Sequence, residues 1–98
     1  MLTMITHIVL FKLKDRSPES VAATAKVLRD LEGKIPQLRS IEVGIDVLHS
    51  ERSYDIALYT TFDSMEDLNA YQVHPEHKKV IVHMNEVRES SVSVDYEV

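Results

Sequence analysis

At 98 residues the chain has the length of one domain, and residues 1–98 are read as a single unit with room for a modest core. The absence of cysteine excludes disulfides, thiolate metal sites and cysteine nucleophiles, and fits a reducing cytoplasmic location. A formal net charge of −5 argues against a nucleic-acid partner, and the longest apolar run near the N-terminus, Ile8 to Phe11, is too short for a signal-peptide core or a membrane span.

In chain order, residues 4–13 read as a strand rich in Ile, Val, Leu and Phe. His7, Val9, Phe11 and Leu13 share one face, while Ile8, Leu10 and Lys12 share the other. Both faces are mostly apolar, so both call for cover. Ser17-Pro18-Glu19 is a helix start, with a capping hydroxyl, a proline at the first turn and a carboxylate at the positive dipole end. Val21, Ala25, Leu28 and Leu31, flanked by Thr24 and Val27, form a stripe at helical spacing. Gly33 then offers a stop, so the predicted helix covers residues 18–32.

A second strand is predicted over residues 38–48, with Ile41, Val43, Ile45 and Val47 alternating against polar neighbours as at a sheet edge. A polar loop follows at residues 49–53. The third strand, residues 54–62, places Ile56, Leu58, Thr60 and Phe62 on one face. Ser64 to Asp67 resembles a capping box and opens a helix carrying Leu68 and Tyr71. Proline suits the first turn of a helix and not its interior, so His74 closes this helix and Pro75 opens another over residues 75–85. Val92, Val94 and Tyr96 alternate with polar residues in a last strand. The order β-α-β-β-α-β is the ferredoxin-like pattern, an α+β fold with a four-stranded antiparallel sheet. Its helices cover one sheet face only. Leaving the apolar opposite face bare would expose a large patch, so the pattern implies a homodimer packed sheet against sheet into an α+β barrel.

The strand Thr6 to Lys14 with its histidine, the run Thr61-Phe62-Asp63-Ser64, and the segment Tyr71-Gln72-Val73-His74-Pro75-Glu76-His77-Lys78-Lys79-Val80 together resemble the stress-responsive α/β-barrel (Dabb) domain family. The resemblance covers nearly the whole chain. It implies the dimeric α+β barrel, and it includes plant heat-stable stress proteins and a plant polyketide cyclase, olivetolic acid cyclase. By that resemblance His77 would be a general base, Tyr71 its hydrogen-bonding partner and His7 a wall of the same pocket. The chemistry implied is proton abstraction next to a carbonyl, with a small carbonyl-containing ligand. An imidazole titrates near working pH, which suits that task, and a tyrosine hydroxyl can stabilise an enolate oxygen. Val9, Phe11, Leu28, Leu58, His74, Ser91 and Ser93 are the expected substrate-binding walls. Leu28 stands where the cyclase carries a second pocket tyrosine, and Ser91 and Ser93 replace bulky apolar residues, which disfavours a long alkyl polyketide.

Each of these residues also has a plainer reading. His77 reads equally as a packing histidine, Tyr71 as a core aromatic, and His7 as a buried imidazole hydrogen-bonded for structural reasons. His74 and Glu76 have helix-end roles, and Lys78-Lys79 reads as a solvated patch. His74, Glu76, His77 and His83 invite a metal reading, but the i, i+3 spacing across a proline lacks an evident third ligand. Neither a metal nor a cofactor is therefore expected. Three functions remain open: a small-molecule enzyme or binder with His77 as base, a non-enzymatic stability or oligomerisation module, and a relative of the cofactor-free dimeric-barrel monooxygenases.

Overall fold

The computed structural model describes residues 4–98. Seven elements follow one another: β1 (Ile5–Leu13), α1 (Pro18–Arg29), β2 (Ser40–Ile45), β3 (Ile56–Phe62), α2 (Met65–Val73), α3 (Pro75–Val87) and β4 (Arg88–Glu97). The four strands form one antiparallel sheet in the order β2-β3-β1-β4. This is the ferredoxin-like α+β arrangement expected from the sequence, with β2 at an edge.

Local chemistry explains most of the boundaries. The Ser17 hydroxyl accepts from the Ser20 N–H at 3.2 Å, and Pro18 occupies the first turn of α1. The helix stops at Arg29, short of the expected residue 32. Beyond it the chain tightens into i→i+3 turns, with Leu31 N–H donating to Leu28 C=O and Glu32 N–H to Arg29 C=O. Gly33 sits within these turns at φ 80°, a left-handed conformation that disfavours a side chain. Strand β2 is also shorter than its apolar alternation predicts. The Asp46 carboxylate accepts from the His49 N–H at 2.7 Å and folds the chain away from the sheet, leaving Val47 88% exposed. The loop extends to Asp55, two residues past its predicted end, because Asp55 has another task. Its carboxylate accepts from Leu13 N–H at 2.9 Å and from Arg16 Nε at 3.0 Å, and its own N–H donates to Phe11 C=O at 2.8 Å. This buried carboxylate clamps the end of β1 to the start of β3.

The helix pair α2–α3 breaks at His74 and Pro75, as the proline requires. The His74 N–H donates to Tyr71 C=O, closing α2, while its Nδ1 accepts from the Glu76 N–H at 3.1 Å and caps α3. One residue thus serves both helix ends, closing α2 through its backbone and capping α3 through its imidazole. Helix α3 runs two residues beyond its predicted end and passes without a loop into β4, which starts at Arg88.

The core fills the space between the helices and one sheet face. Leu13, Leu28, Ile56, Phe62 and Tyr71 are its most deeply buried large side chains. The opposite face carries cross-strand rows of apolar residues, Tyr59–Ile8–Val94 and Ala57–Leu10–Val92, with Tyr59, Val92, Val94 and Tyr96 all exposed.

Candidate functional site

A cavity of about 240 Å³ lies between the helix-facing side of the sheet and α3. Strand parity builds one wall. His7, Val9 and Phe11 project to the same side of β1, and the register sets Ser93 opposite Val9 and Ser91 opposite Phe11 on β4. Leu58 joins them from β3. The other wall is helical: Leu28 comes from α1 and Gln72 from α2. From α3 come His77, Val80, Ile81, Met84 and Asn85, at the spacings that share one helix face. Arg88 closes the stripe where α3 becomes β4.

Two histidines face this space from opposite walls. His77 is 9% exposed, and its Nδ1–H donates to the Gln72 carbonyl at 3.3 Å. That bond leaves Nε2 as the nitrogen with the free lone pair. Burial pushes the His77 imidazole below its ordinary pKa; the Gln72 carbonyl opposes this, and the charges of His7 and His74 reinforce it. The ring is thus neutral, and able to accept a proton, at neutral pH. His7 is 8% exposed, and its Nδ1 is hydrogen-bonded to the Asp95 carboxylate directly across the β1–β4 ladder. A carboxylate on Nδ1 fixes the imidazole's tautomer and orientation and again directs Nε2 toward other work.

Tyr71 stands behind His77 rather than on the cavity wall. Its ring packs against the His77 ring with centroids 4.1 Å apart and against Phe62 at 4.9 Å. The side chain is fully buried, its hydroxyl has no hydrogen-bond partner among the described residues, and burial pushes its pKa up, so it stays protonated.

Of the expected walls, Val9, Phe11, Leu28, Leu58, Ser91 and Ser93 all line the cavity. His74 does not. Its imidazole is committed to the α3 cap, which turns it away from the site that His77 enters one helical turn later. The sequence reading lacks Asp95, Gln72 and Arg88. Asp95 continues the two-residue period of Ser91 and Ser93, so parity along β4 is the signal that finds it. Gln72 acts through its backbone carbonyl, which no side-chain pattern reveals. Arg88 lies in a stretch that carries no strand alternation. Among the described residues no three His, Asp or Glu side chains gather as a metal site would require.

Comparison with known proteins adds findings of three kinds, from a family model, from relatives and from solved structures. A family model described as the stress responsive A/B barrel domain, Dabb, matches residues 5–98. An uncharacterised Streptomyces coelicolor protein is 34% identical over 96% of this chain and 99% of its own length. The Arabidopsis thaliana stress-response A/B barrel domain-containing protein DABB1 is 31% identical over 98% of the chain, which spans only 48% of that relative. Among solved structures, a dimeric Bacteroides fragilis protein of unknown function and ferredoxin-like fold matches with a TM-score of 0.82 at 39% identity, covering 97% of this chain and 96% of that one. A hydroxynitrile lyase from Passiflora edulis matches with a TM-score of 0.83 over 97% and 93% of the two chains, at 18% identity, a likeness of fold alone.

Proposed function

Because the chain belongs to the stress-responsive A/B barrel (Dabb) domain family, whose fold is shared more widely than any one activity, we propose from its own residues that it is a small-molecule enzyme working by proton transfer next to a carbonyl. The observation that carries this reading is the pair of buried imidazoles on one cavity, each with Nδ1 committed to an acceptor. In this reaction His77 Nε2 takes a proton from the carbon beside a ligand carbonyl, giving an enolate and an imidazolium. The imidazolium exchanges that proton with solvent, and a solvent-derived proton is delivered from it to carbon, or to the alkoxide formed when the enolate attacks a second carbonyl. His7, held by Asp95, is the donor or acceptor on the opposite wall. Tyr71 supports His77 by stacking and is a positioning residue in this scheme. The protein acts as a homodimer through the bare sheet face, in line with the dimeric Bacteroides fragilis relative. Its setting in this scheme is the cytoplasm.

The test is deuterium uptake from D2O into a panel of small ketones and 1,3-dicarbonyl compounds, followed by NMR. His77→Gln should lower the rate for an active compound by about 100-fold or more, within the usual range for a general base. Equal rates for the variant and the wild type would sink the proposal. A second reading, a non-enzymatic dimer module, draws support from the Tyr71 hydroxyl, which is buried away from the cavity. It expects no uptake with any compound and a purely structural effect of His77→Gln.

A further inference from the structure

The ladder between β1 and β4 is regular from Ile5↔Glu97 to Lys12↔Ser90, and then slips so that Leu13 pairs with Arg88. Glu89 is the extra residue. Without this bulge position 89 would stand opposite Leu13, and Arg88 would project from the other sheet face. The bulge moves Arg88 onto the face shared by Ser91, Ser93 and the buried Leu13, at the cavity. Re-aiming a side chain next to a site is a recurring use of bulges.

The guanidinium placed there is braced by neutral groups. One terminal N–H donates to Ser91 Oγ at 2.7 Å and another to Asn85 Oδ1 at 3.0 Å. Among the described residues no carboxylate forms an ion pair with it, although Arg16, Lys26, Arg39 and Lys79 each have one. In a chain of net charge −5, a braced cation on a cavity whose lining includes no carboxylate is an open anion position. The planar fork of arginine suits a carboxylate, which can accept two parallel N–H bonds. The cavity, at about 240 Å³, is smaller than the roughly 300–1,000 Å³ of drug-sized sites, so it takes a small ligand.

We infer that Arg88 is a specificity-determining residue that selects small carboxylate-bearing molecules with an apolar body, seating the carboxylate at the α3–β4 junction and the body toward His7 and His77. This rests on the cavity being the ligand site, as proposed above, but not on proton transfer occurring there.

The probes are benzoate, phenylacetate and hexanoate, each against its neutral primary amide, titrated into the full chain with the side-chain NMR signals of His77 and Arg88 followed. At least one acid should bind about tenfold or more tightly than its amide, the range for a hydrogen bond to a charged group. Arg88→Gln should remove that preference, and Arg88→Lys should restore part of it. Equal affinities for acid and amide, a preference that survives Arg88→Gln, or no binding by any probe would each overturn the inference. A carboxylate preference without deuterium uptake would refute the proton-transfer reading alone; uptake without the preference would refute this one alone.

Discussion

Removing the Tyr71 hydroxyl should stabilise the protein. In Tyr71→Phe the ring, which is fully buried between Phe62 and His77, keeps its packing. What disappears is a buried O–H that has no partner among the described residues but is hydrogen-bonded to water when the chain unfolds. Leaving such a group unsatisfied costs about 1–3 kcal/mol. Some of that gain is offset by the small void left behind, so an increase of about 1 kcal/mol is expected. For a domain of this length that raises Tm by about 4–8 °C. The assay is urea denaturation and calorimetry at one fixed protein concentration, since a dimer's stability depends on concentration. A loss of about 1 kcal/mol or more would refute the reasoning, because it would mean that the hydroxyl has a partner in the folded protein. If the variant gains stability and loses deuterium uptake together, the unsatisfied hydroxyl is a stability cost retained for function.

The depressed pKa of His77 has a direct sign. The unfolded imidazole takes up a proton as pH falls through 6.5, while the buried one resists until lower pH, so stability is full above that point and declines below it. Denaturation curves at pH 7.5 and 5.5 should therefore differ less in His77→Gln than in the wild type, and an unchanged difference would contradict the assignment. Leu28→Ala should cost about 2–5 kcal/mol in chemical denaturation, toward the low end because the new space joins an existing cavity. Asp55→Ala strands both the Leu13 N–H and the Arg16 guanidinium, and should cost about 3 kcal/mol. Val94→Asp, on the exposed sheet face, should yield a monomer in sedimentation equilibrium; a dimer of undiminished affinity would mean that association uses another surface.

Much of this was legible in the sequence because periodicity and proline chemistry are local. The alternation of His7, Val9, Phe11 and Leu13 fixed which side of β1 faces the helices. Pro75 fixed the α2–α3 break and hence where His77 enters. The details that escaped are non-local or depend on side chains meeting the backbone. The end of β2 hinges on the Asp46 carboxylate reaching the His49 N–H, which outcompetes the apolar alternation of Val47. The His7–Asp95 pair depends on the β1–β4 register, and residues 88 apart in sequence carry no mark of being neighbours. Arg88 reached the cavity only through a slip in that register. His74 was expected on the pocket wall by the family resemblance, but its imidazole serves the helix that begins beside it, the helix-end role that its place before Pro75 also suggested.

The direct passage of α3 into β4 means that one uninterrupted stretch of chain supplies His77, the helical wall from Val80 to Asn85, Arg88 and both serines. Beyond Arg88 this stretch contributes no residue to the buried core, since β4 is exposed or half-exposed along its length. Substitutions at Ser91 and Ser93 can therefore change the shape and polarity of the cavity with little effect on the buried core. Natural or laboratory selection for new ligands has three closely spaced positions to work on, Arg88, Ser91 and Ser93, apart from Val80 and Met84 of the same stretch, which belong to the core.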